Sequence, residues 1–264
     1  MKLNIVPARQ GLVWVKLGMR AFFRQPLAMV GLFFMFMAVM SIATLLPLVG
    51  SVLALTLLPG ATLGLMAAAR ETTLGKFPMP SILVSAFRAG QQRLRAMLML
   101  GVLYAVGFLL VMAVSMLFDG GQFARLYLVG GKITDELLNS GDFITAMWVA
   151  MALYMPLSML FWHAPGLVHW YGVSPVKSLF FSAVACLRNF GAYTVYSLAW
   201  AGVFLLAGLV VTTVAAVTGN PGFLSVVLLP VAMLIVAMFF TSIYFTFSDS
   251  FVPTDTSETF PPQG

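Results

Sequence analysis

Residues 26–46 read PLAMVGLFFMFMAVMSIATLL, a run with no charged residue and only two hydroxyls, Ser41 and Thr44. A helix needs about 20 apolar residues to cross roughly 30 Å of hydrocarbon, so this stretch predicts a transmembrane helix. The chain before it is basic, with Lys2, Arg9, Lys16, Arg20 and Arg24 and no acid. The run is too long for the core of a cleaved leader, and no clean small-x-small site follows it, so the N-terminus is expected to stay. Outward from this stretch the pattern recurs. Segments 48–69, 96–118, 143–162, 190–217 and 223–247 are also long enough to span and carry no internal charge. Backbone groups in lipid must be satisfied within the segment, which makes helices the expected form. A β-barrel would need alternating segments of about ten residues, and these runs do not alternate.

Composition agrees. Of 264 residues, 61% are hydrophobic and 8% charged, against roughly 25% charged in an ordinary soluble domain, and mean hydropathy is +1.01. These values exclude a soluble enzyme, a disordered chain and a nucleic-acid-binding domain. The net charge of +6 sits in short islands beside the apolar runs, so it reads as membrane-flanking charge and not as a footprint for nucleic acid. One cysteine, Cys186, excludes an internal disulfide framework and a thiol-only metal site. The expected fold is an all-α integral membrane protein with six transmembrane helices.

The islands also predict orientation. The N-terminal segment carries five Lys and Arg; Arg70, Lys76, Arg88, Arg93 and Arg95 follow the second span; Lys177 and Arg188 follow the fourth. Only Arg125 and Lys132 fall on the other side. Both termini are therefore expected in the cytoplasm of a bacterial inner-membrane protein. The tail acids Asp249, Asp255 and Glu258 weigh little in that rule.

Each island reads as an amphipathic helix ahead of a hairpin. On a helix, Arg9, Lys16, Arg20 and Arg24 share one narrow wedge, with Val15, Met19, Phe22 and Phe23 largely opposite. Segment 81–95 places Ser81, Ser85, Arg88, Gln91, Gln92 and Arg95 against Leu83, Phe87 and Leu94. Segment 174–188 sets Lys177 and Arg188 against Val176, Leu179 and Phe180, and opens with Ser174-Pro175, a sound helix start. Such helices lie in the membrane interface with their apolar face in the acyl boundary, or pack against the bundle. Arg24, Arg95 and Arg188 each directly precede a span, and the second span of each hairpin carries an internal proline expected to kink it: Pro59, Pro156 and Pro230. The expected organisation is a single membrane domain of three parallel repeats. They cover 9–69, 81–172 with a periplasmic insertion at 119–142, and 174–249, followed by a tail at 250–264.

Val6-Pro7-Ala8-Arg9, Gly11, Trp14, Gly18, Phe22 and Pro26, then Leu46-Pro47-Leu48-Val49-Gly50 and Leu58-Pro59-Gly60, resemble an uncharacterised family of proteobacterial polytopic inner-membrane proteins. The resemblance is densest over 6–95. The helix-plus-hairpin pattern is more distantly similar to the membrane domain attached to some glycerophosphodiester phosphodiesterases, although no phosphodiesterase domain accompanies it. The resemblance implies fold and location and supplies no mechanism.

Chemistry-bearing residues are few. His163 and His169 flank Pro165-Gly166 between Trp162 and Trp170. Ligands on one helix face are usually three or four residues apart, and this pair is six apart, so an aromatic belt at headgroup level is expected over a metal or haem site. Asp119, Asp135, Glu136 and Asp142, with Arg125 and Lys132, make a mixed outer loop that reads as solvated or as a docking surface. Within it 121–139 is expected to hold a short helix, since Leu126, Val129, Ile133, Leu137 and Leu138 form an apolar stripe. Gly60, Gly64 and Ala68 are spaced for close helix packing. No catalytic constellation occurs, and no cofactor and no enzyme activity are expected. No ionisable residue falls in the middle of a span, where proton and ion pathways usually place one. The hydroxyls Ser41, Thr44, Thr56, Thr62, Ser115, Ser158, Thr194, Ser197, Thr212 and Thr213 are scattered. The expected function is a non-catalytic accessory or scaffold subunit contacting membrane lipids and another membrane protein or a second copy. A small permease or channel for a neutral or lipid-like solute is the alternative.

Overall fold

The computed structural model describes residues 1–46, 49–219 and 222–252. Pro47 and Leu48 and the tail acids Asp255 and Glu258 lie outside the described residues. In chain order the helices are α1 (Gln10–Arg24), α2 (Pro26–Thr44), α3 (Gly50–Thr73), a 3-10 turn (Pro80–Val84), α4 (Ser85–Arg88), α5 (Gln91–Asp119), α6 (Gln122–Val129), α7 (Asp135–Leu138), α8 (Gly141–Phe161), α9 (Ala164–Tyr171), α10 (Pro175–Arg188), α11 (Phe190–Thr218) and α12 (Gly222–Ser250). Two short strands, β1 (Lys2–Leu3) and β2 (Phe251–Val252), pair antiparallel. Among the described residues six stretches are long and apolar enough to cross a membrane: α2, α3, α5, α8 continued by α9, α11 and α12. The protein is an all-α integral membrane protein.

Helix hydrogen bonding does not stop where charge begins. Helix α3 runs through Arg70 and Glu71 to Thr73, α5 starts at Gln91, and α12 continues to Ser250. The single amphipathic helix expected over 81–95 is not formed. Pro80 opens a 3-10 turn, α4 lasts one turn, and Gly90 takes φ +96°. That backbone conformation is reached cheaply by glycine alone. Gln91–Arg95 therefore become the first turn of the spanning helix α5. Over the third island a helix forms from Pro175 to Arg188. Pro59, Pro156 and Pro230 all lie inside helices.

The chain gathers into two compact units. The first comprises Met1–Met37, Ala61–Ser85 and the chain from Val184 onward. In it α1 lays Gly11, Trp14, Val15, Gly18, Ala21 and Phe22 inward against α11 and α12. Two glycines let the backbones meet: a Cβ at Gly11 would stand 2.6 Å from the Tyr196 amide nitrogen, and one at Gly18 2.7 Å from Ser242 Cα. Phe22 and Phe23, expected on the same face, part company. Phe22 is 2% exposed and Phe23 63%. Phe33 and Phe36 of α2 close on Phe240 of α12, with ring centroids 5.9 and 5.6 Å away.

The second unit comprises Ala38–Gly60 and Ala86–Ala183. Its core is aromatic: α5 packs on α8, α6 and α9, bringing Tyr104 to 5.0 Å from Phe161 and Phe108 to 6.1 Å from Tyr154, centroid to centroid. Gly101 seats against the Thr56 backbone, where any larger residue would collide.

Candidate functional site

The densest polar constellation lies at the end of α12, in the first unit. From Thr241 to Ser250 the helix reads TSIYFTFSDS, and apart from half-buried Asp249 all of it is buried. The Asp249 carboxylate Oδ2 accepts the Gln10 side-chain amide at 2.6 Å and the Trp14 indole N–H at 2.7 Å. Charge-assisted bonds of this kind are roughly twice as strong as neutral ones. Asn4 adds a side-chain bond to the Asp249 carbonyl at 3.0 Å, and its backbone N–H reaches the Ser250 carbonyl at 2.9 Å. Asn189, buried between α10 and α11, accepts the Val6 N–H at 2.8 Å and donates to the Asn4 carbonyl at 3.0 Å. Deeper along α12, the Tyr196 and Ser242 hydroxyls meet at 2.6 Å. Tyr244 is hydrogen-bonded to Arg70.

Asp249 thus ties α1 to α12, and the strand pair β1–β2 extends the tie. Its partners here are an amide and an indole, neither of which exchanges protons in the physiological range. The arrangement holds helices together. Sequence reading placed Asp249 in the tail. The signal lay in the six hydroxyls and one acid crowded into the last ten positions of an apolar run.

The histidines fall in the second unit. His163 is 0% exposed and sits at the break between α8 and α9. Its side chain is packed within the second unit. Pro165 lies in the first turn of α9, and a proline disfavours helix continuing into it from the N-terminal side. The Ser182 hydroxyl bridges that break, accepting the His163 N–H at 2.9 Å and donating to the Met159 carbonyl at 2.7 Å. His169 is half-buried with its ring edge-on to Trp170 at 5.9 Å. No group of three His, Cys, Asp or Glu side chains suited to a metal ion occurs among the described residues.

The segment 119–142 is more structured than a solvated loop. It forms two helices, α6 and α7, parted by Gly130, whose φ is +87°. Each acid serves a helix N-terminus, where the macrodipole favours negative charge. Asp119 accepts the Gly121 and Phe123 N–H groups at 2.8 and 2.6 Å, Asp135 and Glu136 open α7, and Asp142 opens α8. Ser51 donates to the Leu128 carbonyl at 3.1 Å, and Phe123 lies edge-on to Phe143. Tyr127, Val129, Ile133 and Leu138 stay exposed.

The basic residues Lys16, Arg20, Arg24, Arg88, Arg95, Lys177 and Arg188 are all exposed. The small residues of α3 meet the chain that follows them: Gly60 faces the Phe87 ring, Gly64 the Leu83 backbone, and Ala68 is buried. Of the ten hydroxyls that might line a pathway, seven are turned into their own helices. Thr44, Thr56, Ser115, Ser158, Thr194, Thr212 and Thr213 each donate to a carbonyl three or four residues back, at 2.7–3.0 Å.

Over 236 residues the chain is 39% identical to a protein of Burkholderia thailandensis named a probable inner membrane protein, covering 88% of this chain and 87% of that one. No family model matches the chain, and no solved structure matches it.

Proposed function

We propose that this chain, which belongs to the same inner-membrane protein family as the Burkholderia protein, is a non-catalytic accessory or scaffold subunit contacting lipids and another membrane protein. The observation carrying this reading is the fate of the hydroxyls: seven of ten candidates for a polar pathway are occupied by their own backbones, leaving the long helices to present apolar side chains to lipid. Twelve basic residues against two support cytoplasmic termini. The order short helix, long helix, long helix at α1–α3 and again at α10–α12 supports parallel repeats, the middle one departing from it with α6 and α7 set between its two long helices.

The segment 119–142 is the partner surface in this reading, because it presents Tyr127, Val129, Ile133 and Leu138 as exposed side chains beside the Ser51–Leu128 hydrogen bond that anchors it. Loops positioned by a rigid scaffold often carry function. Replacing those four residues with Ser is expected to leave the protein folded and to remove an associated membrane protein on purification in mild detergent. Unchanged association, or solute flux through liposomes containing this protein alone, overturns the proposal.

A further inference from the structure

Two side-chain bonds assemble a surface that neither segment makes alone. Arg24, at the end of α1, donates from Nη1 to the Thr73 carbonyl at 3.3 Å. Gln25, the next residue, donates to the Lys76 carbonyl at 3.1 Å. Together they pin the turn after α3 beside the α1–α2 junction, within the first unit. On one side stand exposed Arg20, Arg24 and Phe23; on the other stand exposed Lys76, Phe77 and Met79. The three apolar side chains are each 63% exposed. Large apolar groups interleaved with cations are out of place in water. They suit the level where acyl chains meet headgroups.

We infer that this corner is a binding surface for anionic phospholipid, with Phe23, Phe77 and Met79 entering the acyl boundary and Arg20, Arg24 and Lys76 facing the headgroup phosphates. Charge supports that choice of occupant. Glu71, half-buried in the last turn of α3, is the first acid in the chain, and the next is Asp119. Arg24 spends one donor on Thr73, and its planar fork has others to offer a phosphate. The inference rests on reading the chain as a lipid-contacting membrane protein and specifies which lipid and where.

The test is retention of lipid by the purified full-length protein in detergent. It is titrated with dioleoylphosphatidylglycerol or dioleoylphosphatidylcholine, and bound lipid is counted by native mass spectrometry. Wild type should prefer phosphatidylglycerol. Near an anionic surface each Lys or Arg contributes about fivefold in affinity, so R20Q/R24Q/K76Q should lose on the order of a hundredfold. The outer-segment variant R125Q/K132Q should lose nothing. Should the triple variant not fold, R20Q and K76Q are read singly, each expected to fall about fivefold. Unchanged preference in these variants, or an equal loss in R125Q/K132Q, overturns the inference. Partner association is not read in this measurement, so its outcome and that of the proposed subunit role are separable.

Discussion

Asp249→Ala removes the acceptor that two residues of the N-terminal segment share. The Trp14 indole N–H, bonded at 2.7 Å, belongs to a side chain with 0% exposure, so it is stranded without water or a substitute. The Gln10 amide, bonded at 2.6 Å to the same oxygen, lies nearer the surface and recovers solvent. Stranding a buried donor costs about 1–3 kcal/mol, and a bond to a charged group is worth about 1.5–3 kcal/mol. Asp249→Ala should therefore destabilise by about 2–4 kcal/mol. Asp249→Asn, which keeps one acceptor oxygen, should cost about half as much. Trp14→Phe removes the donor and keeps most of the ring burial. SDS titration of purified protein, followed by helical circular dichroism, gives the unfolding midpoints. Combining Trp14→Phe with Asp249→Ala should show coupling of about 0.5–3 kcal/mol. An Asp249→Ala midpoint equal to wild type, or strictly additive effects in the pair, would refute the tie.

Other outcomes follow from packing and burial. Gly18→Ala should gain up to about 1 kcal/mol in helix propensity yet lose about 1–3 kcal/mol by overpacking, because its Cβ overlaps Ser242. Gly208→Ala, where nothing lies within 4 Å, should be neutral or stabilising in the same titration, and a reversed order would remove glycine as the reason α1 and α12 meet. Burial pushes the Cys186 thiol up to about 12, so it stays protonated at neutral pH and maleimide should label it only after unfolding. Rapid labelling of folded protein at pH 7.4 would contradict its buried position. Reporter fusions at Gly130 and Gly264 should report opposite sides of the membrane; the same side for both would sink the orientation.

The spans were legible because lipid imposes a length that few other environments require, and each long apolar run became a long helix. Their ends were less so. Arg70 and Arg95 mark where charge returns, while the backbone ladder continues past both, since a helix gains nothing by unwinding at the hydrocarbon edge. Helical periodicity over 81–95 was real but was overridden at Gly90, whose conformation no side-chain pattern encodes. Asp249 was misplaced for a different reason. Its donors lie 239 and 235 residues away, and no local period links positions that far apart. The facing of Phe22 and Phe23 was equally out of reach: both are apolar, and only the neighbours α11 and α12 decide which is covered.

That separation bears on how the protein is made. The surface of α1 around Trp14 finds its partner in α12, the last helix among the described residues. At roughly 5–20 residues per second, the 235 residues between Trp14 and Asp249 take about 12–50 s to emerge. Throughout that interval Trp14, Val15 and Phe22 need provisional cover, which the membrane surface or the insertion machinery can lend. Native burial of the first helix is thus a late event in biogenesis. Chains truncated before α12 should be left with an adhesive N-terminus, which cellular proteolysis can recognise.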